Sequence, residues 1–378
     1  MRYISKQIVE DLNEKMVFIG GPRQVGKTTL AISFLGKDAN QKHHAYINWD
    51  AVVNRRDLLK GILPSNEKLV VFDEIHKYAK WRNLIKGFYD LEKSERNFII
   101  TGSARLDYYR RGGDSLQGRY HYYRLHPFSF PEMNTSLKSM SDILHLLQFG
   151  GFPEPLIKGN MRHWKRWQKE RTERVIYEDL RDLEFVKEIS LIEELTNILP
   201  SRVGSPLSIK SLKQDLQVAH ETVERFVEIL ERLYYCFRIM PYGAPRIRAV
   251  KKENKLYFWD WSLVEEEGPR FENFVASHLL KYCHYREDTE GDKMELRFIR
   301  DTDKREVDFV VLKNKRPIFA VECKTKEKSV SPATQYFRER TDIPKFYQVH
   351  LGTKDYGNEN SSTRVLPLAT FCEELHLP

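Results

Sequence analysis

The sequence predicts an α/β protein of several domains: a parallel-sheet core, a helical middle closing on a winged helix-turn-helix, and a second α/β domain towards the C-terminus. Three observations predict it. An apolar run opens into a glycine loop and then a helical pattern at Met16–Gly36. Two short amphipathic helices precede a hairpin pattern between Ser205 and Asp260. A second hairpin, Arg305–Lys326, ends in FAVECKTK, where an acid and a base share an apolar strand. A length of 378 residues allows two or three domains with separate cores, and the expected boundaries are 1–133, 134–204, 205–262 and 263–378.

The first element carries Gly21-x-x-x-x-Gly26-Lys27-Thr28, a full Walker A motif between strand and helix. Glycines let backbone N–H groups wrap phosphates with no Cβ in the way, and the helix start adds positive potential. Residues Gly21, Pro22, Arg23, Gln24, Val25, Gly26, Lys27, Thr28 and Thr29 are therefore expected to bind ATP, with Lys27 on the β and γ phosphates and Thr28 on Mg²⁺. A second apolar run, Lys68–Lys77, ends in Asp73-Glu74. Carboxylates at such a strand end lie where ligands collect. Asp73 is expected in the Mg²⁺ shell, and Glu74 is expected to orient or deprotonate the attacking water, which favours hydrolysis. A third run, Asn97–Asp107, ends in Thr101-Gly102-Ser103. Ser103 is the expected sensor of the γ-phosphate or water. The arginine-rich stretch that follows offers Arg119, and after it Arg105, as an arginine finger for a neighbour's nucleotide.

Residues 1–133 resemble the AAA-type P-loop ATPases, and more closely the bacterial and archaeal ATPases carrying GPRQVGKTT, FDEIHK, ITGSA and SLQGRY…PFSFPE in this order. The resemblance implies a five-stranded parallel sheet, Mg·ATP hydrolysis and a homo-oligomer, a hexameric ring among its forms. GGFPEP at Gly150–Pro155 marks a boundary.

The helical stretch Arg162–Leu183 interleaves Lys and Arg with Trp164, Trp167 and Tyr177. It reads first as an amphipathic helix with aromatics inward and charges solvated, and second as a grip on nucleic-acid phosphates. Helix, turn, helix and hairpin from Ser205 onward form the winged-helix pattern. His220, Glu221 and Arg225 lead its second helix, although Glu221, Glu224 and Glu228 make that helix acidic for a DNA groove. The wing cations Arg246, Arg248, Lys251 and Lys252 are the better phosphate contacts.

In a strand, residues i and i+2 share a face, so Glu322 and Lys324 stand together in what should be a sheet core, where an unpaired charge is costly. The preceding strand brings Asp308 beside Glu322 across the hairpin. Two converging carboxylates suit a hard cation such as Mg²⁺ or Mn²⁺, and a lysine beside them can position water or offset charge on a reacting phosphate. Glu272, on the upstream helix, completes a pattern similar to the PD-(D/E)XK nuclease superfamily. That resemblance implies Asp308 and Glu322 as metal ligands, Lys324 as the catalytic lysine and Glu272 as an auxiliary ligand or water-binding acid. The bland reading is a buried Glu–Lys pair in a nuclease-like domain that cuts nothing.

A net charge of +8 favours an anionic partner, with DNA first. No run is apolar enough to span a bilayer, the first residues lack a signal-peptide pattern, and the four cysteines show no metal spacing. A cytoplasmic protein with free thiols is expected. The functional expectation is an ATPase coupled to DNA binding and metal-dependent DNA cleavage, with a non-cleaving, nucleotide-switched protein as the alternative.

Overall fold

The computed structural model describes residues 2–102, 116–133, 139–179, 188–243, 253–356 and 361–378. The chain divides into two units, Met1–His126 and Pro127–Pro378.

In the first unit five strands, β1 (Met16–Gly20), β2 (Tyr46–Asn48), β3 (Leu69–Asp73), β4 (Asn97–Thr101) and β5 (Tyr120–Arg124), form one sheet in the order β2-β3-β4-β1-β5. Every neighbouring pair is parallel. Parallel strands covered on both faces read as near-continuous apolar runs, and β1 is buried at all five positions. Trp81, Ile85 and Phe88 of helix Trp81–Glu92 pack on Phe72 and Phe98 of the sheet. The fully parallel order matters for chemistry: it sets the C-terminal ends of β2, β3 and β4 side by side. Asp73 is the register partner of both Asn48 and Thr101.

The second unit opens with helices α1 (Met140–Phe149), α2 (Pro153–Lys158) and α3 (Met161–Arg174), the last continuing as a π-helical turn over Val175–Asp179. Helix α4 (Ile189–Ile198) leads to α5 (Ile209–Leu216) and α6 (His220–Arg232), the expected helix pair. Their apolar stripes, Leu212 and Leu216 on one and Val223, Phe226, Val227 and Leu230 on the other, are buried. The hairpin β6 (Cys236–Pro241) and β7 (Lys255–Phe258) follows. Long helix α7 (Glu267–Glu290) then crosses to strands β8 (Met294–Arg300), β9 (Glu306–Lys313) and β10 (Arg316–Lys324). Helix α8 (Pro332–Arg340) precedes β11 (Phe346–His350) and β12 (Thr363–Pro367).

These strands form one seven-stranded sheet, β12-β11-β10-β9-β8-β6-β7. The hairpin expected as a wing is the edge of this sheet, because β6 pairs in parallel with β8 through Met240↔Arg297 and Pro241↔Phe298. Strands β8, β9 and β10 are antiparallel neighbours. All four cysteines are free thiols. No helix of the described residues is long and apolar enough to cross a membrane.

Candidate functional sites

The loop between β1 and the first-unit helix Lys27–Ser33 has the geometry its glycines predict. Gly21 has φ 131° and Gly26 has φ 96°, both in the region that favours glycine. A Cβ at Gly21 would stand 2.4 Å from the Leu125 carbonyl oxygen. Lys27 is buried and donates to the carbonyl oxygens of Gly21 at 3.0 Å and Pro22 at 2.7 Å. Asp73, also buried, is braced by three hydroxyls: Thr28 Oγ1 at 2.8 Å, Tyr46 OH at 2.7 Å and Thr101 Oγ1 at 2.5 Å. Thr28 and Asp73 thus converge from different elements as oxygen donors, the chemistry that suits Mg²⁺. The residues present fit Mg·ATP.

Glu74 follows Asp73 with φ 55°, an uncommon backbone for a non-glycine residue and one that collects at functional sites. Its carboxyl is pushed up by burial and then by Asp73, against the pull of Lys27 and Lys77. A carboxylate of raised proton affinity is a better general base. Arg119 pairs with Asp90 through Nε–Oδ1 at 2.9 Å and Nη2–Oδ2 at 3.3 Å. Ser103, Arg105 and the wing cations Arg246, Arg248, Lys251 and Lys252 lie outside the described residues. Tyr46 and Thr101 had no assigned role in the sequence reading, because only the parallel strand order delivers their hydroxyls to Asp73.

The second cluster is built on strands of the seven-stranded sheet and on α7. Asp308 and Glu322 are both buried, and the register Phe309↔Val321 places them across the hairpin from each other. Lys324 Nζ donates to Glu322 Oε1 at 2.5 Å. The Cys323 amide donates to Asp308 Oδ2 at 2.8 Å. Glu272 comes in from α7. The four residues singled out in the sequence are therefore brought together.

Beside Glu272 and Asp308 stands Lys255 from β7, 0% exposed. Its ammonium stands 3.0 Å from Glu272, 2.5 Å from Glu306 and 3.7 Å from Asp308. Tyr257 OH donates to Glu272 Oε1 at 2.7 Å, and Arg300 Nη1 donates to Glu306 Oε2 at 2.9 Å. Gly204 lets the chain pass close by, since a Cβ there would lie 3.3 Å from Glu272 Oε2. Burial would lower the Lys255 ammonium, but Glu272, Asp308 and Glu306 together hold it above the ordinary lysine range. Burial, then Glu272 and Glu322, pushes the Asp308 carboxyl well up, with Lys255 opposing. Burial likewise raises Glu322, with Lys324 opposing.

Two observations bear on a divalent ion here, and they pull apart. Glu322 Oε2 is buried without a hydrogen-bond partner among the described residues, as a ligand oxygen would be. Against that, Lys255 already supplies the counter-charge. Among the described residues, the one set of three His, Cys, Asp or Glu ligand atoms within 4.8 Å of one another is His43, His44 and Glu67. That set is engaged otherwise: His44 Nε2 is 2.7 Å from Glu67 Oε1, and His43 Nδ1 accepts the Ala45 N–H. The cluster therefore holds four carboxylates, Glu272, Glu306, Asp308 and Glu322, with Lys255 and Lys324 offsetting part of their charge.

Lys255, Tyr257 and Glu306 escaped the sequence reading, although the period-two rule that linked Glu322 to Lys324 also links Lys255 to Tyr257 and Glu306 to Asp308. The helix pair gives a different picture. Arg225 is 3.4 Å from Glu188, and Arg238 is held by Glu224 at 3.1 Å and Glu231 at 2.8 Å. The second helix thus spends its charges on internal pairs.

Comparison with known protein families divides the chain into three matched segments. The family described as "AAA domain" matches residues 13–134. Residues 140–266 and 267–371 match two domains of unknown function, DUF8612 and DUF4143. An uncharacterized protein of Methanocaldococcus jannaschii is 25% identical over 313 residues, covering 73% of this chain and 70% of its own length. A second from that organism is 26% identical over 337 residues, with the same coverage. An uncharacterized protein of Mycobacterium tuberculosis is 23% identical over 249 residues, and the match spans 55% of its length. Among solved structures, the Thermotoga maritima RuvB Holliday junction branch migration motor has 19% identity and a TM-score of 0.31, covering 62% of this chain and 87% of that one. The Aeropyrum pernix ORC1 protein in complex with DNA has 14% identity and a TM-score of 0.32, covering 73% and 94%. Superpositions this loose carry no role from those proteins to this one. The N-terminal family match, on a phosphate-binding loop and a five-stranded parallel sheet, supports a P-loop ATPase of the AAA type.

Proposed function

We propose that the chain is a nucleotide-driven switch that works on DNA, with ATP hydrolysis in the first unit and a nuclease-like but non-cleaving module in the second. The observation that carries the non-cleaving part is Lys255, whose buried ammonium stands against Glu272, Glu306 and Asp308.

In this reading the Gly21–Thr29 loop cradles the phosphates, and Lys27 turns from the loop carbonyls to the β and γ phosphates. Thr28 and Asp73 would hold Mg²⁺, which when bound would supply positive charge beside the phosphates. Glu74 takes the proton of the attacking water. Ser103 senses the γ-phosphate. Arg119 leaves Asp90 to reach a neighbouring copy's nucleotide, which requires a homo-oligomer such as a hexameric ring. A net charge of +8 supports an anionic partner, and DNA is the partner proposed.

A second reading, metal-dependent DNA cleavage through Glu272, Asp308, Glu322 and Lys324, is favoured by the partnerless Glu322 Oε2. One experiment separates the two. The full chain is incubated with single-stranded, duplex and branched DNA, with Mg²⁺ or Mn²⁺, with and without ATP. The switch reading expects ATP turnover that Lys27→Ala abolishes, DNA binding, and intact strands throughout. Cleavage that disappears in the Glu322→Ala, Lys324→Ala double variant selects the second reading.

A further inference from the structure

Helix α3 concentrates the charge of the chain. Its 14 residues hold six Lys or Arg and two Glu, a net +4 against +8 for all 378 residues. One side is anchored. Trp167, Gln168 and Arg171 are buried. Gln168 Nε2 donates to Asp260 at 2.8 Å and Ser262 at 2.7 Å, and Trp164 Nε1 donates to Ser262 at 3.1 Å. The Arg171 guanidinium lies 4.2 Å from the Phe152 ring centre. Asn160 caps the start by accepting the His163 N–H at 3.0 Å.

On the other side Arg162, Lys165, Arg166 and Lys169 are exposed at positions i, i+3, i+4 and i+7, which is one stripe of an α-helix. Arg162, Lys165 and Arg166 make no hydrogen bond or ion pair among the described residues. Lys169 has only a loose, exposed pair with Glu173 at 3.8 Å. A helical row of exposed cations, three of them with no ion-pair partner among the described residues, is a surface for a polyanion.

We infer that this stripe of α3 is the docking surface for the phosphate backbone of duplex DNA. The inference rests on DNA being the partner, and it says where on this chain the DNA lies. The row rises roughly 10 Å at 1.5 Å per residue, about three nucleotides of one strand at ~3.4 Å each. An interfacial membrane helix needs its apolar residues on the ligand face. Here Trp167 is buried and Trp164 is tied to Ser262, so a bilayer is the poorer fit. The helix following the turn is poorer too, because Arg225 and Arg232 lie against Glu188 and Glu228.

The test is fluorescence anisotropy of a labelled duplex of about 20 base pairs, titrated with the full chain across a salt series. The variants are Arg162→Gln, Lys165→Gln, Arg166→Gln, Lys169→Gln together, and the milder Lys165→Gln, Lys169→Gln pair should the fourfold change disturb folding. Circular dichroism and ATP turnover, expected unchanged, monitor the fold. Each phosphate contact contributes about 0.9 to the slope of log affinity against log salt, so the fourfold variant should lose about 3 to 4 and the pair about 2. Binding with an unchanged slope in both variants overturns the site while leaving DNA as the partner. A wild-type chain that binds no duplex overturns both. Binding to phosphatidylserine vesicles or polyglutamate in preference to the duplex overturns the choice of occupant.

Discussion

The two charge clusters are built from the same materials and arrive at opposite states. In the first unit one buried carboxylate, Asp73, is braced by three neutral hydroxyls, from Thr28, Tyr46 and Thr101. In the second, Glu272, Glu306 and Asp308 surround a buried ammonium. Hydroxyls orient a carboxylate and leave its charge available to a cation. A lysine offsets part of that charge, and removing one partner of such a buried group is far more costly than loosening a hydroxyl. The difference teaches that the availability of an acid cluster to a cation depends on its partners. What the acids already face decides.

The sharpest way to break this comparison is Lys255→Met. It leaves acids buried without a counter-ion and should destabilise the protein by about 3–5 kcal/mol. The pH dependence carries the sign. Asp308 already has a raised carboxyl pKa, and Lys255 is among the groups holding it down. Without the lysine it rises further. An acid with a raised folded-state pKa keeps its proton in the folded state, so stability present at low pH is lost as pH climbs from the unfolded value, about 4, through the folded one. The loss should be larger at pH 8 than at pH 5 by chemical denaturation. Equal losses at both pH values would mean that lost packing, not charge, dominates.

A smaller effect is expected in the first unit. Tyr46→Phe and Thr101→Val should each lower stability by about 1 kcal/mol, the typical worth of one hydrogen bond. Both should weaken Mg·nucleotide binding in a fluorescence titration, because Asp73 loses its orientation. Smallest of all is Arg119→Gln. Its partner pair is at the surface, so thermal stability should hardly change. ATP turnover should fall only at protein concentrations where the chain self-associates. A fall that is independent of concentration would place Arg119 in its own chain's site.

The phosphate loop was legible because its chemistry is contiguous: glycines, Lys27 and Thr28 are neighbours in sequence. Asp73 and Glu74 were legible from a strand ending in acids. The hydroxyl brace was not, since Tyr46 and Thr101 meet Asp73 only after the sheet adopts its order. In the second unit the hairpin from Arg305 to Lys326 could be read because its two strands are joined by a tight turn. Lys255 could not, because its strand reaches the cluster through a pairing between Met240 and Arg297, 57 positions apart in sequence. The acidic character of helix α6 was visible in sequence. That its arginines are consumed by Glu188 and Glu228 was not.

The proposal stands or falls on whether Lys255 keeps the second cluster closed to divalent ions. Calorimetric titration of the nucleotide-free full chain with Mn²⁺, wild type beside Asp308→Asn, tests it most directly. The account predicts isotherms that superimpose, with no heat traceable to Asp308. A saturable one-site isotherm in the wild type that Asp308→Asn abolishes would contradict it.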